Sequence, residues 1–251
     1  MSVLALSFVI FGLILGGIFL GSQLRKTLPD HHLSKESQDV VRLGVGLVAT
    51  MAALVLGLLI ASAKSSYETQ VSQVKKITAD IILLDHLLSQ YGSEALPLRK
   101  QMRSAMSEFV DRIWNEDDRE AGGPFKANVS SERIYFAIQA LSPGSDVQRS
   151  IQARAIHIVN DVAQTRMLMY VGGGELIPKP FLVILIFWLV LIFTSFSLFS
   201  KLNVTVVAFL SLFAFSASCA IFLILELSKP FSGIMMIDSG PVRNALAPLG
   251  P

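Results

Sequence analysis

Apolar residues are distributed along this chain in two distinct ways. Four stretches, Met1–Leu24, Leu43–Ala63, Pro180–Ser200 and Leu202–Leu225, contain no Asp, Glu, Lys or Arg, and each is at least 21 residues long. A helix rises about 1.5 Å per residue, so roughly 20 residues cross the ~30 Å hydrocarbon layer of a bilayer. Each stretch therefore predicts a transmembrane helix. Between the second and third stretches the pattern becomes amphipathic. Val71, Val74, Ile77, Ile81, Leu84 and Leu88 recur at spacings of three and four, which predicts a helix with one apolar stripe. Leu98, Met102, Met106, Phe109 and Ile113 predict a second helix over Leu96–Trp114. Ile134, Tyr135, Ile138 and Leu141 mark a short one near Ser131–Leu141, and Ile151, Ala155, Ile158, Val162, Thr165 and Met169 mark a long one.

Local signals set the ends of these elements. Ser34 is placed to cap the second helix, with Glu36 in its first turn, where negative charge suits the helix dipole. No proline occurs between Pro29 and Pro97, so the second span is expected to run unbroken into the amphipathic region. Gly92 supplies its stop, and Ser145 or Asp146 the cap of the last long helix, which is expected to end at Gly172-Gly173-Gly174. The charged, Gly- and Pro-containing segment 115–130 reads as an exposed loop. Ser200 to Asn203 forms a tight turn between the last two spans. Beyond Glu226, Pro230 and Gly233 turn the chain, Ile234–Ile237 is apolar enough to lie along a membrane surface, and Asp238 or Ser239 with Pro241 starts a short helix. The expected organisation is an all-α integral membrane protein. Residues 1–63 carry transmembrane helices 1 and 2, 64–179 a helical soluble bundle, 180–226 transmembrane helices 3 and 4, and 227–251 a C-terminal tail.

Composition narrows the function. Mean hydropathy is +0.58 and only 16% of residues are charged, which excludes an ordinary soluble domain. The first span has no basic region before it and no evident cleavage site after it, so it reads as a retained helix and not a signal peptide. A net charge of +2 gives no electrostatic case for nucleic acid. Residues 64–179 carry 14 basic and 14 acidic side chains, which argues against a polybasic lipid-binding role for that region. The single cysteine, Cys219, lies in the fourth span and rules out a disulfide framework. Near the membrane, Arg25, Lys26, Lys35, Arg42 and Lys201 fall on one side. Lys64, Lys75, Lys76, Lys179, Lys229 and Arg243 fall on the other. That margin of one favours a cytoplasmic location for both termini and the helical domain.

Enzymatic signals are weak. His31 and His32, with Asp30 and Glu36, are candidate metal ligands, yet neighbouring residues on a turn point apart and the simpler reading is a solvated loop. No phosphate loop, nucleophile elbow or dinucleotide fingerprint is present, so no cofactor is expected. The second span is more informative. Gly46, Thr50, Ala53, Gly57 and Ala61 place small residues along one stripe, either for close helix packing or to line a narrow pore in an assembly of several copies. Asp39 and Arg42 would stand at its mouth. Glu226, at the end of the fourth apolar run, is expected at the membrane interface; the alternative is a carboxylate facing a pathway or paired with Lys229 or Arg42.

Two stretches, HLSKESQDVVRLGVGLVATMAALVLGLLIASAKSSYE and ILELSKPFSGIMMIDSGPVRNAL, resemble the bacterial bestrophin-like domain family, and the resemblance extends over essentially the whole chain. It links the chain to bestrophins, pentameric anion channels with cytosolic termini and a helical cytosolic region between the second and third spans. By that analogy residues 40–63 correspond to the pore-lining helix. Bestrophin necks are rich in aromatic residues, whereas Val40 to Ala63 contains no Phe, Tyr or Trp, so no individual bestrophin residue is carried over. What the resemblance implies is a homo-oligomeric channel of the bacterial inner membrane, embedded in the lipid bilayer and passing anions such as chloride. The competing class is a non-conducting membrane scaffold or sensor whose helical domain binds a protein partner.

Overall fold

The computed structural model describes residues 2–29, 34–114, 129–172, 179–200 and 203–246. Among these the chain is helical with no strands: α1 Val3–Thr27, α2 Lys35–Tyr91, α3 Leu96–Trp114, α4 Val129–Gln139, α5 Asp146–Gly172, α6 Lys179–Phe199, α7 Val204–Leu227 and α8 Gly240–Leu246. A 3₁₀ turn at Ser93–Ala95 links α2 to α3. Four helices are long and apolar enough to cross a membrane, namely α1, α2, α6 and α7. The chain divides into two compact units, Met1–Ser66 with Glu175–Ser228, and Tyr67–Gly174 with the residues from Lys229 onward. The turn between α6 and α7 at 201–202, the loop at 115–128 and the second and third glycines of the triplet lie outside the described residues.

In the first unit α1 packs against both α6 and α7. Gly17 and Gly21, one turn apart, face α6 so closely that side chains there would not fit. A methyl group added to Gly17 would stand 2.9 Å from Thr194 Oγ1 and 3.1 Å from the Val190 carbonyl oxygen; one added to Gly21 would collide with the Thr194 carbonyl oxygen. Pairing of 17 with 190 and 194, and of 21 with 194 and 197, shows that α1 and α6 run in the same direction. Ser197, fully buried, donates a hydrogen bond across this seam to the Ile18 carbonyl oxygen at 2.7 Å. On the other flank, Ser218 of α7 donates to the Ser7 carbonyl oxygen at 2.8 Å, and Phe11 meets Phe215 edge-on at 6.0 Å. α7 therefore runs antiparallel to α1. Val45, Ala52, Leu59 and Ala63 of α2 complete the core around Ile10, Ile14, Leu185, Ala214 and Ile221.

α2 is one continuous helix of 57 residues, or about 85 Å. Its start is capped by Ser34, whose Oγ accepts from Ser37 N at 3.3 Å, and its end is set by Gly92, which adopts φ +127°, a conformation favouring glycine. The expected caps of α5 and α8 are present as well: Gln148 N donates to Ser145 Oγ, and Gly240 N to Asp238 Oδ1.

In the second unit the predicted stripes meet. Val74, Ile77, Ile81, Leu84 and Leu88 of α2 are buried with Leu98, Met102, Met106, Phe109 and Ile113 of α3, Ile134 and Ile138 of α4, and Ile151, Ala155 and Ile158 of α5. Polar side chains tie this bundle at its joints. Asp85 holds Arg99 through two hydrogen bonds of 2.7 and 2.8 Å, and this partner raises the Arg99 pKa above its ordinary value. Gln148 Nε2 donates to the last carbonyl of α2, that of Tyr91, at 2.9 Å. Gln152 Nε2 donates to the carbonyls of Ile138 and Leu141, both at 2.8 Å, adding to the Leu141 N–H that already caps Ile138 at the end of α4.

Ile237 is buried and its carbonyl oxygen accepts from Trp114 Nε1 at 2.7 Å. Phe231 packs edge-on against Trp114, and Arg243 pairs with Asp111 at 2.8 Å. An indole N–H seeks an acceptor when its ring is partly buried, and the tail provides one. Ile237 thus joins the helical bundle through α3, while Ile234, Met235 and Met236 stay exposed.

The glycines of α1 separate packing from mere permissiveness. Gly21→Ala should lower the melting temperature in detergent by the several degrees expected of about 1–3 kcal/mol of overpacking. Gly16→Ala, where an added methyl meets nothing within 4 Å, should leave it unchanged. A thermal scan showing equal effects at both positions would contradict the seam.

Candidate functional site

The small-residue stripe of the second span lies on the outer surface of the chain. Gly46, Thr50, Ala53, Gly57 and Ala61 are all exposed, and a methyl group added to Gly46 or Gly57 would meet nothing within 4 Å. α2 instead turns Val45, Ala52, Leu59 and Ala63 towards its own unit. At about 100° per residue the two sets are separated by roughly a third of the helix circumference. Among the described residues this stripe thus makes no close helix–helix contact within the chain; that contact is made by Gly17 and Gly21, which the sequence reading did not single out. Their Gly-x-x-x-Gly spacing was the available signal. Beside the small stripe runs a second exposed face of large residues, with Leu43 at 77%, Leu47 at 65% and Leu54 at 77% exposure.

The chemistry of the stripe is sparse. Thr50 donates its hydroxyl hydrogen to the Leu47 carbonyl at 2.7 Å, so its outward-facing oxygen is an acceptor unless the rotamer changes. Asp39 and Arg42, expected together at the start of the span, do approach one another, but only at 3.9 Å and with both side chains about two-thirds exposed. A pair of this kind contributes little stability and leaves the guanidinium available. Between α2, α6 and α7, Arg42 and Gly46 also border a cavity of about 480 Å³ lined by Ser195, Phe196, Phe199, Val206 and Leu210.

Glu226 lies in the last turn of α7 with 2% exposure. Arg42 shares a cavity wall with Leu210, and Glu226 stands 16 residues further along α7, about 24 Å of helix. An ion pair between Glu226 and Arg42 is therefore excluded by distance. His31 and His32, with Asp30, lie outside the described residues. Among those described, no group of three or more His, Cys, Asp or Glu side chains is arranged to hold a metal ion. His157 contacts Asp161 one turn away at 3.2 Å, and His86 contacts Gln90 at 3.0 Å, both on solvent-facing surface.

Comparison with known proteins gives this arrangement its context. The model of the bestrophin-like domain matches residues 12–242, nearly the whole chain. The chain belongs to the bestrophin-like family. The fold agrees: mutants of a bacterial bestrophin homologue from Klebsiella pneumoniae superpose with a TM-score of 0.68. One is 12% identical, covering 94% of this chain and 96% of that one. Another is 13% identical, covering 98% and 94%. A further structure, described as a membrane protein, matches with a TM-score of 0.67 at 12% identity over 94% of this chain and 95% of that one. No curated protein matches. At such identities the neighbours establish the fold of this bestrophin-like chain, and the chemistry of α2 has to be argued from its own residues.

The open stripe has a direct consequence. Gly57→Leu should fold and melt as the parent does, because the new side chain enters empty space in the single chain. Its effect should appear in the assembled protein, as a change in particle mass by light scattering or as lost ion flux. A variant identical to the parent in both measurements would place the stripe against lipid.

Proposed function

We propose that this bestrophin-like protein is a homo-oligomeric, pentameric ion channel that passes anions, with α2 lining the pore. The observation carrying this reading is the division of α2. One face is buried against its own unit, and a separate strip roughly a third of the way round presents Gly46, Thr50, Ala53, Gly57 and Ala61 uncovered. A helix exposed to lipid on that side gains nothing from small residues, whereas copies of it around an axis leave room for ions. α6 and α7 contrast with it: Phe187, Phe209, Leu212 and Phe213 are exposed, bulky apolar groups suited to acyl chains. Arg42 at the mouth raises the local anion concentration, and Asp39 opposes it. Support for the anion assignment comes from the family and from Arg42.

The channel is placed in the bacterial inner membrane, with both termini and the bundle in the cytoplasm. Cysteines introduced at Asn128 and Ser200 in a Cys219→Ala background test this in intact cells. An impermeant maleimide should label position 200 and spare 128; the opposite pattern would invert the topology.

Conduction is tested in planar bilayers. Arg42→Glu should reduce anion conductance or shift the reversal potential towards cations, and Phe187→Leu should change neither. Unaltered selectivity in Arg42→Glu would remove the entrance. Silence of correctly assembled protein would favour the scaffold reading.

A further inference from the structure

The cavity between α2, α6 and α7 has a built-in polarity. Arg42, Ser195 and Ser200 form part of its lining, and Phe196, Phe199 and Leu210 supply apolar wall. All three contributing helices are membrane spans, and the cavity lies where α2 begins, α6 ends and α7 begins. Its volume, about 480 Å³, is in the roughly 300–1,000 Å³ range of sites that hold small molecules. An apolar hollow at the end of a bundle of spans, with a guanidinium at its rim, matches an amphiphile with an anionic head and a hydrocarbon tail. We infer that this cavity is a binding site for an anionic phospholipid, whose phosphate is held by Arg42 and whose acyl chain lies against Phe196, Phe199 and Leu210.

Arg42 suits this task because a planar guanidinium binds phosphate through two parallel N–H···O bonds. Asp39 is the opposing charge on the same helix. It pairs with Arg42 only at 3.9 Å and is itself 71% exposed, so a phosphate displaces it at small cost. The serine hydroxyls add donors for phosphate or glycerol oxygens. Phe196 is 49% exposed, an aromatic surface that an acyl chain would cover. The site is formed within one chain and does not depend on whether the assembly conducts.

Native mass spectrometry of the delipidated full-length protein, incubated with phosphatidylglycerol or phosphatidylcholine of identical chains, tests the inference. Phosphatidylglycerol should be retained at one molecule per chain, about tenfold more strongly than phosphatidylcholine, whose phosphate carries a choline cation that the Arg42 guanidinium repels. Arg42→Gln should abolish that preference, and Ala49→Trp, which fills the cavity, should abolish retention of both lipids. If Ala49→Trp fails to assemble, Val206→Trp at the same cavity serves instead. Equal retention of the two lipids, an undiminished preference in Arg42→Gln, or no lipid retained by the parent would overturn the site. So would a structure of the assembly in which a second copy fills the cavity.

Discussion

Inside a bilayer the hydrophobic effect does not draw helices together, because lipid tails are as apolar as leucine. Association then depends on close contact and on polar groups that lipid cannot satisfy. The seam between α1 and α6 has both. Gly17 and Gly21 remove the side chains that would hold the two backbones apart, and the buried hydroxyl of Ser197 donates to a carbonyl of α1. Ser218 makes an equivalent bond from α7 to the Ser7 carbonyl. α1 is thus fixed on two flanks by contacts that a lipid chain cannot replace. The large core residues Ile10, Ile14 and Ile221 fill what remains.

Once α1, α6 and α7 are joined in this way, α2 has only one face left to bury. Val45, Ala52, Leu59 and Ala63 occupy it. The rest of the helix surface is open, with small residues along one strip and leucines along the next. Those two strips differ in what can cover them. Leucines are compatible with lipid or with a neighbouring copy, while glycine and alanine leave a groove that needs either a close helix or an aqueous path. The channel reading follows from this asymmetry together with membership of the bestrophin-like family. Arg42 stands near the start of that strip and also lines the cavity between α2, α6 and α7.

The helical bundle is held by a different balance. Its core is apolar and continuous through α2, α3, α4 and α5, as expected where water supplies the driving force. Polar side chains are used at the joints. Arg99 crosses to Asp85, Gln148 closes the end of α2, Gln152 closes the end of α4, and Trp114 fixes the returning tail through Ile237. Each gives a charge or a backbone carbonyl at a joint of the bundle a hydrogen-bond partner.

Much of the local structure among the described residues could be read from the sequence. The spans follow from uninterrupted apolar length, the stripes of the bundle from a period near 3.6, and the helix ends from Ser34, Gly92, Ser145 and Asp238, because each rule acts over only a few neighbouring residues. The unbroken course of α2 follows in the same way from the absence of proline. Pairings across the chain were not legible. Small residues at 46, 50, 53, 57 and 61 look as suited to packing as those at 17 and 21. Only the position of α6 decides that the second pair is in contact and the first stripe is open. Glu226 closes an apolar run in sequence, yet its burial depends on neighbours brought together by the fold. Ile237 reads as part of an apolar surface segment until Trp114, more than a hundred residues earlier, supplies the donor for its carbonyl. Periodicity specifies that a face is apolar or small; which surface meets it is decided by long-range packing.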